Sequence, residues 1–225
     1  MVIMRFFNED FIAFFQELEL NNSKHWFENN RKRYENSIKK PFKNFVLELR
    51  DSLQELYPET DLSDKYSIMR LNRDIRFGND KTPYKTHMAC MIMPQGKRDK
   101  TRPGFYLQAN HRDIRVYSGA HELEKEQLYA IRDHIKNNLR EFNSLILDRK
   151  FSAIFGEIQG EKHKRLPPEF KNIESEQPLI ANKNFYWYFK LDPQFIKSDK
   201  LIDRLIENYQ TTLPLNRFFE RAFIY

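Results

Sequence analysis

The sequence predicts an α+β fold in which N-terminal and C-terminal helices pack on a short, mainly antiparallel sheet. Three observations lead there. Apolar residues recur at helical spacing through the first third of the chain and again after Gly119, whereas from about Tyr66 to Tyr117 the period drops to two. The strand-like runs stand together instead of alternating with helices, which separates helices from sheet and excludes a doubly wound parallel arrangement. Twenty Phe and eleven Tyr in 225 residues, within 40% apolar residues overall, suffice for a large aromatic core and are too many for a disordered chain.

Asn8 can cap a first helix carrying Phe11, Phe14, Phe15 and Leu18 on one stripe, and Ser23 a second that runs to about Lys39. Pro41 suits the first turn of a third helix, whose stripe is Phe42, Phe45, Val46, Leu49, Leu53 and Leu56 and which Pro58 ends. Tyr66, Ile68 and Arg70 alternate with Ser67, Met69 and Leu71 in a first strand. That alternation sets Arg70 on the Tyr66/Ile68 face, where a charge must be paired or face a cavity. Further strands read as His87–Met93, Gly104–Ala109 and Asp113–Tyr117, the last two joined as a hairpin by Asn110–Arg112. Leu123, Leu128, Ile131 and Ile135 mark the next helix, and Leu139, Phe142, Leu145 and Ile146 its continuation or neighbour. The region 156–183, with Pro167, Pro168 and Pro178, reads as irregular; 184–191 is an aromatic strand, and helices near 197–211 and 213–222 close the chain. No repeat, low-complexity tract or Gly/Ser linker divides the sequence, so one domain over 1–225 is expected.

No apolar run approaches the ~20 residues that span a bilayer, and mean hydropathy is −0.77, which excludes a membrane-spanning helix. A single cysteine, Cys90, excludes a disulfide scaffold and a four-thiolate zinc site, and acids appear by position nine, so a cytoplasmic protein is expected. The net charge of +6 (pI near 9.2) leans toward anionic partners. It gathers at Arg31–Arg33 with Lys39, Lys40 and Lys43, at Lys97, Arg98, Lys100 and Arg102 on an expected hairpin tip, and at Lys162, Lys164 and Arg165. A solvated basic face is the plain explanation of these clusters.

The segment from Arg70 to His87 places five cations and two acids between two apolar strands, in residues that form helices and strands poorly. It reads as a long loop, the usual place for binding groups. Arg73 and Arg76 suit the oxygens of phosphate or carboxylate; Lys81 and Lys85 add point charges and Tyr84 a phenol. Equally, Asp74 and Asp80 can pair with these arginines and make the loop a structural clamp. On the second helix, Trp26, Asn30, Arg31 and Tyr34 fall in one arc with Phe27 and Ile38, which places Asn30 and Arg31 on the face expected to be buried, either tethering the helix or lining a pocket.

These residues carry a resemblance. Trp26 with Asn30, Arg31 and Tyr34; Pro41; Arg73–Phe77 followed by Asp80–His87; Gly104–Tyr106; and Ile131–Arg132 resemble the uncharacterised domain-of-unknown-function family 2461, from about residue 8 to about 220. The resemblance implies one intracellular domain filling the chain. It implies no activity, cofactor or catalytic residue. His121 after Ser118-Gly-Ala, and the 166–170 segment, depart from the more glycine-rich pattern of that family.

Other motifs are absent: no phosphate-binding P-loop, dinucleotide glycine fingerprint, zincin pair or EF-hand, and the six histidines show no metal-ligand spacing. No metal is expected, and no cofactor is indicated. Asp74 and Asp80 as a magnesium site are opposed by the cations around them. Glu169-Phe-Lys171 echoes a nuclease-type Glu-x-Lys in a proline-rich stretch, and Cys90 reads as an inert core thiol. Tyr106 and Gln108 share one face of their strand, as Arg115 and Tyr117 do on the next, a polar floor for the loop above. Alternatively, 184–191 with Phe105–Gln108 offers an aromatic platform on which bases could stack, though aromatic strands more often build cores.

The leading expectation is a pocket between the N-terminal helices and the sheet. There Arg73, Arg76, Lys81 and Lys85 grip a small anionic ligand, with Trp26, Asn30, Arg31, Arg70, Asp74, Asp80, Tyr84 and His87 around it. If chemistry occurs, Asp74 or His87 accepts the proton; whether the protein is an enzyme stays open. The alternatives are a nucleic-acid-associated basic module and a non-catalytic scaffold.

Overall fold

In the computed structural model, which describes residues 6–76, 79–96 and 99–223, five strands form one antiparallel meander in the order β1-β2-β3-β4-β5. They are β1 (Tyr66–Ile68), β2 (Met88–Ile92), β3 (Phe105–Ala109), β4 (Ile114–Ala120) and β5 (Phe185–Leu191). Along β3–β5 every second residue faces inward: Phe105 and Leu107, Ile114 and Val116, and Phe185, Trp187 and Phe189 are all buried. The residues between them, Tyr106, Gln108, Arg115, Tyr117, Tyr186 and Tyr188, are partly exposed on the opposite face. This is the period-2 consequence of the pleat.

The helices lie against the inward face. Asn8 caps α1 (Glu9–Leu20), its Oδ1 accepting from the Asp10 N–H at 2.9 Å, and Ser23 caps α2 (Lys24–Arg33). Helix α3 (Lys40–Gln54) is not separate from α2: the two are joined through a π-helical stretch, Tyr34–Lys39, in which the Lys40 N–H donates to the Glu35 carbonyl. Pro41 gives the reason. A proline inside a helix lacks its N–H and collides with the carbonyl four residues back, and the wider turn just before it absorbs both defects.

After β4 come α4 (Lys125–Asn137), α5 (Leu139–Ile146) and α6 (Arg149–Phe155), capped by Asp148. The stretch expected to be irregular contains α7 (Pro168–Glu174), started by Pro168 in its first turn, and a 3-10 turn, Pro178–Ala181. The prolines there initiate structure. Helices α8 (Leu201–Gln210) and α9 (Leu213–Arg221) end the described chain. The core is one cluster of aromatic and aliphatic side chains running from Phe7 to Ala222. Among the described residues no helix is long and apolar enough to cross a membrane.

Two buried polar devices lock helices to the sheet. The Trp187 Nε1–H donates to Thr212 Oγ1 at 2.5 Å, the Ser118 hydroxyl lies 3.1 Å from Asn216 Oδ1, and Asn216 Nδ2 donates to the Tyr209 hydroxyl, itself 2.8 Å from that of Tyr57. Arg132 of α4, 5% exposed, donates to the carbonyls of Ile180 (2.8 Å), Ala181 (3.5 Å) and Asn182 (3.1 Å) at the entry to β5. Arg132→Met keeps the stem and strands those carbonyls. We expect it to lower stability by about 2–4 kcal/mol, a fall of roughly 5–15 °C in melting temperature for a chain of this size. An unchanged melting curve would show that the guanidinium is dispensable.

Candidate functional site

The outer face of the sheet is built in rows, because cross-strand partners stand side by side. One row is Ala89, Gln108, Arg115 and Lys190; the next is Met91, Tyr106, Tyr117 and Tyr188. Tyrosine rings stand 5.8 Å apart across β3–β4 and 5.0 Å apart across β4–β5. The row beyond pairs Gly119 with Tyr186 and continues through Gly104 and Met93. Gly119 has φ +132°, and a Cβ there would lie 2.1 Å from the Phe185 carbonyl oxygen, so no other residue lets β5 close on β4 at this point. Over these rows lies an open cavity of about 450 Å³, floored by Met91, Tyr106, Gln108 and Tyr117 and walled by Lys100, His121, Glu122 and Tyr186. Lys100 is bound to Glu122 at 2.5 Å, and the His121 N–H donates to the Lys100 carbonyl, which holds that wall together.

The cavity is thus on the far side of the sheet from the N-terminal helices. The space between those helices and the sheet, where the sequence suggested a pocket, is filled by Phe11, Phe14, Phe27, Tyr34, Phe42 and Phe45.

The charged segment forms an arm that extends the β1–β2 pair. Ile68 stands opposite Cys90 but Asn72 opposite Tyr84, so the β2 side carries two extra residues. This bulge ends the regular alternation at Ile68. Arg70 therefore leaves the Tyr66/Ile68 face and is exposed, contrary to the sequence expectation. Within the arm the acids hold the arginines. Arg73 is bonded to Asp80 and to Thr82 Oγ1 (2.6 Å), Arg76 to Asp74 (2.7 Å), and Lys81 Nζ donates to the Ile75 carbonyl at 2.9 Å. The Thr82 N–H and hydroxyl, with Arg73, hold the Asp80 carboxyl down at about 2, and Arg76 holds that of Asp74 below its ordinary range. Phe77 of the Arg73–Phe77 motif, and Lys97 and Arg98 of the basic run, lie outside the described residues.

Helix α2 supports the arm from the core side. Tyr84 is buried and stacks on Phe27 with ring centroids 4.2 Å apart, and its backbone is bonded on both sides to the Asn22 side chain. Trp26 packs against Phe14, and Asn30 donates to the Trp26 carbonyl. Arg31 is not buried as its arc suggested: its guanidinium lies over the Phe27 ring, 5.6 Å from the centroid, reaches solvent and pairs with Glu28. Trp26, Asn30 and Arg31 do not reach the cavity.

Lys85 and His87 differ from the rest. They lie between the Asn72–Tyr84 bridge and the start of β2, and His87 is near enough to Arg115, on the outer face, to feel its charge. Lys85 is partly buried, and among the described residues it pairs with no carboxylate. Burial, then Arg70 and Arg73, push its pKa down. His87 is pushed down to about 4 by burial, by Lys85 and by Arg115, against a smaller opposing pull from Asp113. Arg115 is bonded to Asp113 at 2.7 Å and donates to the Tyr117 hydroxyl at 3.3 Å. Of the twelve candidate residues, the structure brings Arg70 and Arg73 near Lys85, and Lys85, with Arg115, near His87. Sequence reading named Tyr106, Gln108, Arg115 and Tyr117 as a polar floor, 184–191 as an aromatic platform and Lys100 within a basic run, but missed Met91, Met93, His121 and Glu122. Strand parity could have found Met91; Lys100, His121 and Glu122 come from segments outside the strands that only folding brings over the sheet. Among the described residues no group of His, Cys, Asp and Glu is arranged to hold a metal ion.

The family model for conserved hypothetical protein DUF2461 matches residues 10–218. The chain belongs to that family. Neither the curated proteins nor the solved structures give a match. Family membership covers nearly the whole chain, including every row of the outer face, and assigns no role to any of it.

His87 makes one consequence measurable. It titrates near 4 when folded and near the ordinary 6.5 when unfolded. Below pH 6.5 the unfolded chain binds the proton first, so stability falls as pH drops from about 6.5 to about 4 and levels off beneath. Denaturant melts at pH 7 and pH 4 should show His87→Gln losing less stability than the parent, by on the order of 3 kcal/mol. Equal losses would mean that His87 is not held neutral.

Proposed function

We propose that this protein binds a small anionic ligand on the outer face of its sheet. In this reading the anion sits at the end formed by Arg70, Lys85, Arg115 and Lys190, and the body of the ligand lies over Tyr106 and Tyr117. The observation that supports it is Lys85: a partly buried ammonium, pressed by Arg70 and Arg73 and paired with no carboxylate among the described residues, on the arm that continues a sheet whose outer face carries a cavity of about 450 Å³. A cation in such a place is unfavourable until an anion joins it, and the cavity has the size usual for small-molecule sites. Arg73, Arg76 and Lys81, with Asp74 and Asp80, shape the arm that presents Lys85, and Tyr84 anchors it to α2. His87, uncharged at neutral pH, is the proton acceptor that this reading assigns should the ligand be a substrate; Asp74, held by Arg76, is the poorer base. A cytoplasmic setting accords with the lone cysteine, which is buried and unpaired.

A second reading has support of its own. Tyr106, Tyr117 and Tyr188 cross three strands in one row, and Lys190 lies 5.6 Å from the Tyr188 ring, an arrangement suited to a single nucleic-acid strand. Retention of short oligonucleotides that falls steeply with salt would favour it.

Thermal unfolding in inorganic phosphate tests the first reading. Phosphate at 100 times its dissociation constant should stabilise by about 2.7 kcal/mol. The effect should vanish in Lys85→Ala and persist in Lys171→Ala, which alters an exposed lysine on the distant α7. Stabilisation that survives Lys85→Ala, or none with phosphate, pyrophosphate or citrate, would overturn the reading.

A further inference from the structure

Resting on that anion site, we propose that the body of the ligand is a planar nitrogen heterocycle, so that the outer face receives a nucleotide-like molecule. The geometry of the floor argues for this. Successive rows along the strands are about 7 Å apart, so the glycine row at Gly119 lies about 13 Å from the row of Gln108 and Arg115. A ligand that occupies the cavity and also reaches the cations is therefore elongated, with its charge at one end.

The lining then selects what fills the cavity. Tyr106, Tyr117 and Tyr186 offer ring surfaces, and Met91 and Met93 offer polarizable thioethers, the groups that pack on a flat π-system. Gly104 lets the Met93 thioether settle against the sheet and Gly119 lets β5 close on β4, so the cavity beside the tyrosine row is a slot bounded by a thioether and close-packed backbone. Several polar side chains line it. Among the described residues, the Gln108 amide and the hydroxyls of Tyr106 and Tyr186 make no side-chain hydrogen bond, and each of these residues lines the cavity.

An acyl chain in the slot would strip water from those groups and return no hydrogen bond, an unfavourable exchange. A sugar phosphate returns the bonds but is too short to touch both the slot and the cations. A heterocycle joined to an anion meets all three demands. Its faces pack on the tyrosines and methionines, its edge presents both donors and acceptors to Gln108 and the phenols, and its anionic arm extends to Arg115 and Lys85.

Calorimetric titration with AMP, GMP, CMP and UMP, ribose 5-phosphate and dodecyl phosphate decides the matter. At least one nucleotide should bind ten-fold or more tightly than ribose 5-phosphate. Gln108→Leu should weaken that nucleotide at least ten-fold and leave ribose 5-phosphate within two-fold. A measurement on the unmutated protein removes any dependence on folding of the variant: the Met91 and Met93 methyl resonances should move with the nucleotide and stay still with ribose 5-phosphate. Equal affinity for the nucleotides and ribose 5-phosphate, with still methionines, would overturn the heterocycle while leaving the anion site intact. Tightest binding of dodecyl phosphate, strengthened by Gln108→Leu, would replace it with an acyl-chain slot. If no compound binds and inorganic phosphate also fails, the anion site falls and the heterocycle with it.

Discussion

Along β5, Phe185, Trp187 and Phe189 alternate with Tyr186, Tyr188 and Lys190, and each inward ring is clamped by a helix. Phe185 and Trp187 pack on Phe219 of α9, Trp187 also on Phe151 of α6, and Phe189 on Phe155. The Trp187–Thr212 bond and the Asn216 cluster add directional ties, so β5 can neither rotate nor slip by one residue without burying its tyrosines and exposing its tryptophan. The neighbouring strands inherit that register through their ladders. The rows on the outer face, charged in one and aromatic in the next, are therefore the far side of a well-packed core, and their side chains are held by a scaffold they do not themselves build.

Among the described residues the rings that helices pack against on the sheet are inward ones, and this asymmetry leaves the outer face available. Open antiparallel sheets commonly present a solvated side, yet here that side is neither uniformly polar nor evenly charged. Its aromatic row lies beside a cavity, and its charged row leads toward Lys85 and His87. Nature of the residues and their placement both distinguish it from a plain solvated surface.

The arm shows how similar charges come to play different parts. Arg73 and Arg76 lie next to acids at a spacing that allows forked pairing, and in this exposed setting such pairs chiefly fix conformation, since solvent screens most of their energy. Lys85 lies beyond the last acid, one residue past the tyrosine that fastens the arm to Phe27. The same fastening that buries Tyr84 holds the Lys85 backbone against Leu71 and its ammonium near Arg70 and Arg73. Arg33 does comparable work elsewhere: bound to Asp10 and Glu17, it ties α2 to α1 and so sets the platform on which Phe27 and Tyr84 meet.

Local patterning determined much of this by itself. The α+β class, the caps at Asn8 and Ser23, the β3–β4 hairpin and the shared faces of Tyr106 with Gln108 and Arg115 with Tyr117 all follow from periods and cap chemistry, which act over a few residues. The pairing of Asp74 and Asp80 with the arginines was equally visible as one of two readings, since the partners are seven residues apart or fewer. What the tertiary structure alone decided involves longer range. Pro41 sits within a continuous helix because a π-helical stretch absorbs it, and α7 forms where three prolines suggested a loop, because Phe170 has a core to enter. Arg70 is exposed because a bulge shifts the arm against β1. The side of the sheet that holds the cavity depended on where every helix packed, and periodicity, which separates two faces, cannot say which of them the rest of the chain will cover.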